Sequence, residues 1–292
     1  SSASIQQRLV QDLIDELHRL PIHVAGAGAH LLEWLPVRFQ VENLKVLARG
    51  VATGTPFELL RQHLITLPRD LALDTHALAA ADSPDSFVAH IPPGPLRTAL
   101  QEMPGTCRSQ PQPFFLEASM DHCYLAELIA RADALTGEER DLIIPLCAQE
   151  ADIFHLSLAV RGRFHYNLPP DQLLPLHVAG TRVPRNRFAA MLADPDAATA
   201  TERATGRVLD TITASTIPGT TEALAWTRFV RLADRAFRRS HVGLGTVVGY
   251  TGLRRLEVAN LVTLSEGLRM KVPGESIRPR MIPRANTEAA HV

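Results

Sequence analysis

Lysine is nearly missing: of the 30 basic residues in this 292-residue chain only Lys45 and Lys271 are lysines. With 31 acidic residues against those 30, the formal net charge is −1, which excludes a strongly basic nucleic-acid binder. Cysteine is scarce as well. Cys107, Cys123 and Cys147 are odd in number and form no CxxC, so neither a disulfide framework nor a paired-cysteine zinc site is indicated, and a reducing compartment is the simpler reading. Aromatic residues are only 5% and no Asn-Gly or Asp-Gly turn occurs, which argues against a hairpin-rich β fold. Long apolar runs are absent. The best, 71–81 and 242–253, are short and interrupted by Asp74 or by glycines, so no membrane-spanning helix is expected. Ser1–Ser4 carries no signal-peptide apolar region. A chain with 46% apolar residues has ample material for a core and needs no metal staple.

Helical periodicity runs through most of the chain. Residues 5–20 place Ile5, Leu9, Leu13, Leu17 and Leu20 on one face. Residues 115–135 do so with Met120, Tyr124, Leu128, Ala132 and Leu135, and residues 222–239 with Phe229, Leu232, Ala236 and Phe237. An all-α fold follows. Prolines crowd 84–113, marking a connection with one helix near 95–103, and 194–221 reads as a second, softer junction.

Each of the three long amphipathic helices precedes the same short pattern. It reads Gln40-x-x-Asn43-Leu44, then Asp152-x-x-His155-Leu156, then Glu257-x-x-Asn260-Leu261. Each pattern is followed by a proline-led helix start at Pro56, Pro169-Pro170 or Pro273, with Glu58, Asp171 or Glu275 in the first turn, where the helix dipole favours negative charge. Pro84/Phe87/Ala89 and Pro184/Phe188/Ala189 add a later shared element in the first two copies. The order predicts three helical repeats, over 1–105, 106–205 and 206–292. Asn43, Asp152, His155 and Asn260 are poor interior helix formers, so they either face water or make specific hydrogen bonds.

Five residues before and six after each Asn or His stand Arg38/Arg49, Glu150/Arg161 and Arg255/Glu266. Each pair shares a face but lies about 16 Å apart along the axis, so its members are expected to pair with neighbouring helices or with a partner. Arg228, Arg231, Arg235, Arg238 and Arg239 form a basic stripe on the helix before the third pattern, either a solvated helix face or a candidate surface for anionic lipid, an acidic partner or RNA. Asp121-His122-Cys123 and Asp152/His155/His165 are the nearest approaches to a metal site, but neither has HExxH or paired-cysteine spacing. Gly243-x-Gly245-x-x-x-Gly249 follows a helix rather than a strand and reads as a glycine-lined helix contact; Gly26-Ala-Gly28 reads as a loop. No GxSxG or GxxxxGK[ST] is present.

These motifs together resemble the central-stalk C/d family of the V/A-type (vacuolar/archaeal-type) rotary ATPases, known as C in the archaeal and bacterial enzyme and as d in the eukaryotic one. The carriers are Phe39–Lys45; Asp121 and Tyr124 at the D-x-x-Y positions; Glu150-Ala151-Asp152 at E-x-D; Arg161; and Glu257-x-x-Asn260-Leu261. The similarity runs from about residue 5 to 284. His155 departs from the expected Asn, and Glu266 from the usual Gly or basic residue. Family chains usually begin with further N-terminal helices ahead of the region matched here. The resemblance implies a funnel-shaped, three-fold pseudo-symmetric helical bundle on the cytoplasmic face of the membrane. It would be peripheral there, with no active site, cofactor or small-molecule substrate. It implies the central shaft and the proteolipid c-ring as partners, in a rotor that couples ATP chemistry to proton or sodium transport. Asn43, Arg49, Glu150, Asp152, His155, Arg161, Arg235, Arg238, Glu257 and Asn260 are the candidate motif and partner-binding residues. A helical-repeat scaffold for some other protein is the alternative.

Overall fold

The computed structural model describes residues 2–103, 113–210 and 218–282. Among them there is no strand, only an isolated bridge between Thr205 and Leu209, and the fold is all-α. The three long amphipathic stretches are α1 (Ser2–Arg19), α8 (Pro113–Asp133) and α13 (Pro218–Arg239). The three sequence motifs lie on α3 (Val37–Thr53), α9 (Gly137–Ser157) and α14 (Leu244–Arg269). α9 runs on without a break into a π-helical stretch, Leu158–His165.

The chain divides into two compact units. One comprises residues 14–131. Here α2 (Gly26–Trp34) and α3 contribute Leu31, Leu32, Leu44 and Leu47 to the core, each at most 1% exposed. The Trp34 indole N–H donates to the Tyr124 carbonyl at 3.0 Å, and the two rings stack at 5.9 Å. Burying an indole without a partner for its N–H would be costly, so this bond fixes the side chain. Gly26-Ala27-Gly28 opens α2 rather than forming the expected loop, because the apolar run that follows, Leu31 to Trp34, buries only as a helix. The proline-rich connection holds two helices instead of one, α6 (Pro84–His90) and α7 (Pro95–Glu102), after the short α4 (Phe57–Leu60) and α5 (Thr75–Ala79). Ser83 caps α6 by accepting the Ser86 N–H at 3.1 Å. Residues 104–112, with Cys107, lie outside the described residues.

The other unit comprises residues 1–13 and 132–292. α9 is its central helix, packed against α13 and α14. By length and hydropathy the stretch 137–165 could cross a membrane, but 78% of the apolar 18-residue window within it is buried inside the protein, as a core helix is. Gln149 is wholly buried on it, and its amide donates to the carbonyls of Val208 and Ala225 at 2.9 and 3.1 Å. Burial, with Glu150 adding to it, pushes the Cys147 thiol up to about 12, so it stays a neutral core group. α13 and α14 approach closely along the glycine series. A Cβ at Gly249 would lie 2.5 Å from the Ala233 carbonyl oxygen, so only glycine admits this contact. Phe237, read as core, is 40% exposed, while Phe229 and Ala236 carry that face inward. The expected junction at 194–221 folds in part into α12 (Ala197–Ala204), started by Asp196, which accepts the Thr199 N–H at 2.8 Å; 211–217 lies outside the described residues. α10 (Pro170–Leu173), α11 (Arg185–Ala193) and α15 (Gly274–Ile277) complete the described α-helices.

Candidate functional site

Asn43 and Asn260 make the same pair of bonds. The Asn43 amide donates to the Ile65 carbonyl and accepts the Ile65 N–H, both at 2.7 Å and 22 residues away. Asn260 does this with Ile282, both at 2.9 Å and again 22 residues away. An asparagine side chain is a copy of the peptide group, so it pairs with an extended backbone as a neighbouring strand would. His155 takes the equivalent place. Its Nε2 accepts the Val178 N–H at 2.9 Å, 23 residues on. The ring proton therefore sits on Nδ1, which faces Asp152 Oδ1 at 3.4 Å. His177 stacks flat on His155 at 4.7 Å, and Phe188 closes the pocket at 5.0 Å. Burial, with His155 and Arg185 adding to it, holds the His177 imidazole below its usual range against a bond to the Val183 carbonyl that favours its charge.

The residue three before the clamp residue reaches further along the chain. Gln40 donates to the Leu71 carbonyl at 3.1 Å, 31 residues on. The Asp152 carboxylate, fully buried, accepts the N–H groups of Arg182 and Val183 at 3.0 and 3.1 Å, 30 and 31 residues on. Glu257 instead pairs with Arg254 at 3.0 Å, half exposed.

The helix ends match in detail. Seven residues past each clamp stands a glycine: Gly50, Gly162, Gly267. The first and third helices close with left-handed residues, Gly54 at φ 65° and Lys271 at φ 54°, and with bonds of 2.9 Å from Thr55 N to Gly50 O and from Val272 N to Gly267 O. The second closes at Asn167, φ 54°, through Leu168 N to Gly162 O at 3.0 Å, one residue longer. The π-helical turn absorbs that residue, which is why the second clamp spans 23 residues rather than 22. The next helices then start from nearly one conformation: Pro56, Pro169 and Pro273 have ψ of 138, 138 and 139°. A Cβ at Gly50 would overlap Leu60, and one at Gly267 would overlap Ile277, so these glycines let the short helix sit on the motif helix.

The charged residues divide. Glu150 binds Arg255 at 2.9 Å with both nearly buried, 6% and 17% exposed, and the Arg255 guanidinium lies over Phe229 at 5.4 Å. Arg49 grips Glu117 with two bonds, 3.0 and 2.7 Å. Lys45 binds Asp121 at 3.1 Å and Glu42 at 2.9 Å. Burial lowers the Lys45 ammonium, but the two carboxylates more than restore it and hold it above its usual range. Glu266 pairs with Arg269 on its own helix. Arg161 is exposed and lines a cavity of about 340 Å³ with Glu222 and His165, without an ion pair among the described residues. In the basic stripe, Arg228 and Arg231 converge on Asp210 and Arg238 binds Asp234, leaving Arg235 and Arg239 exposed. Among the described residues no group of three metal-ligand side chains forms.

The candidate residues thus fall into two sets. Asn43, Glu150, Asp152 and His155 are buried and spent on internal bonds, while Arg49, Arg161, Arg235, Arg238 and Glu257 are exposed. Asn260 lies between, half-buried. Sequence reasoning missed the three glycines, whose common offset was visible, and the clamped backbone at Ile65, Val178 and Ile282, whose side chains give no sign of it.

The sequence model of the ATP synthase (C/AC39) subunit matches residues 1–280, and the chain belongs to that family. A search of curated proteins finds no match.

Proposed function

We propose, from membership of this family, that the chain is the non-catalytic coupling subunit of a rotary ATPase. In this reading it stands on the cytoplasmic face of the membrane, joins the central shaft to the proteolipid ring, and turns with them during proton or sodium transport. The family match over residues 1–280 carries the reading. The recurrence of one clamp at Asn43, His155 and Asn260 supports three repeats over 1–105, 106–205 and 206–292. A torque-transmitting part must resist shear between its helices. Side chains that lock a helix to backbone 22 or 23 residues away provide that resistance better than apolar contact alone, because hydrogen bonds have direction. The exposed arginines, Arg161, Arg235 and Arg238, are the partner-binding candidates in this scheme.

The test is co-purification from detergent-solubilised membranes of the source organism. Stoichiometric recovery with a proteolipid ring and a coiled-coil shaft is the expected result. Recovery as a lone protein would overturn the coupling role and favour a scaffold for a different partner.

A further inference from the structure

The residues one and four places after each clamp should be equivalent, and in two copies they are. Leu44 and Leu47 are fully buried, as are Leu156 and Ala159, at no more than 3% exposure. Helices that follow the clamp pack on these motif helices: α5 on α3, and α11 and α12 on the π-helical continuation of α9. On α14 the same two positions are Leu261, 38% exposed, and Leu264, 36% exposed, followed by Leu268 at 66%. They form a stripe at steps of three and four, about 10 Å long. Grooves flank it, one walled by Leu253, Leu261 and Met281, the other by Leu264, Ile277 and Met281, and Arg278 lines both. Exposed apolar surface over two turns, bordered by grooves, marks an interaction site on a protein surface.

The rim is charged in one sense. Arg254 and Arg269 are offset by Glu257 and Glu266 on their own helix. Lys271, Arg278 and Arg280 are exposed and have no ion pair among the described residues, against a single exposed acid, Glu275, in the same position. We infer that this face of α14 receives an amphipathic helix of a second protein, one with an aliphatic stripe and acidic flanks. It would take the place that α5 holds on α3. The inference stands apart from the rotor reading, since a scaffold in any assembly would use the same face.

Two fluorescent helical peptides test it on the full chain. Both carry leucines at three- and four-residue steps; one has glutamate flanks and the other lysine flanks. The glutamate peptide should bind at least about tenfold more tightly at low salt, because rim charges steer and select. Leu264→Glu with Leu268→Glu should abolish that binding and leave the melting temperature unchanged, both side chains being already exposed. Equal binding of the two peptides, or binding that survives the double substitution, would overturn the proposal. Maleimide labelling of Leu268→Cys, measured above the wild-type background, identifies any other occupant. Fast labelling at all concentrations agrees with an open face. Slow labelling independent of concentration would give the face to the chain's own residues 283–292, and labelling that slows as concentration rises would give it to a second copy; either result overturns the partner helix.

Discussion

The second and third motif helices carry the same clamp in opposite surroundings. Around His155 everything is sealed: Asp152 and His155 are fully buried, and Phe188 and His177 cover the ring. Around Asn260 the clamp is half open, Glu257 faces water, and the leucines beyond it are exposed. One motif therefore serves as a core fastener in one place and as the edge of an accessible surface in another. The difference teaches that the motif encodes a backbone geometry and not a degree of burial. How much each copy stabilises the fold then depends on its cover.

The largest effect should come from Asp152→Ala. It leaves two buried N–H groups, of Arg182 and Val183, without an acceptor and should cost about 3–5 kcal/mol in denaturant unfolding. Glu257→Ala, the matching change in the open copy, should cost less than about 1 kcal/mol. Equal losses would break the comparison. Next comes Glu150→Gln, which strands a nearly buried Arg255; about 2–4 kcal/mol is expected, largely recovered by adding Arg255→Met. Third, Asn260→Ala should cost about 1–2 kcal/mol, and Asn43→Ala somewhat more because Asn43 is better buried.

The smallest effect is also the most specific, because only the second clamp contains histidines. The folded pKa of His177 lies below its ordinary value of 6.5, chiefly through burial. A depressed pKa gives stability that is present above 6.5 and is lost as pH falls through and below that value. The melting temperature should therefore decline from pH 7 towards pH 5, and His177→Gln should flatten that slope. An unchanged slope would remove His177 from the account.

Much of this is legible in the sequence. Leu9, Leu13 and Leu17 on α1 or Phe229 and Ala236 on α13 declare helices by their spacing, since a buried stripe must recur every 3.6 residues. The expectation that Asn43 and His155 make specific bonds rests on their cost inside a helix, and that cost is met by the Ile65 and Val178 backbone. For Glu150 and Arg255 the spacing predicts only a partner on a neighbouring helix, and each turns out to be the other's. What could not be read is which backbone each clamp holds, because any residue type can offer a peptide group. The helices at 84–90 and 197–204 are hidden for a related reason. They are too short for a periodic signal, and their starts depend on Ser83 and Asp196 as caps.

The π-helical turn after His155 has a consequence for descent. An inserted residue in a helix normally rotates everything beyond it by a third of a turn and ruins the packing that follows. Here Asn167, Pro169 and Val178 keep the same roles as Gly54, Pro56 and Ile65, so the extra residue was swallowed locally. Any alignment of one copy with another should place its gap between Gly162 and Asn167, and that stretch is where this lineage could gain or shed a residue without rewriting the rest.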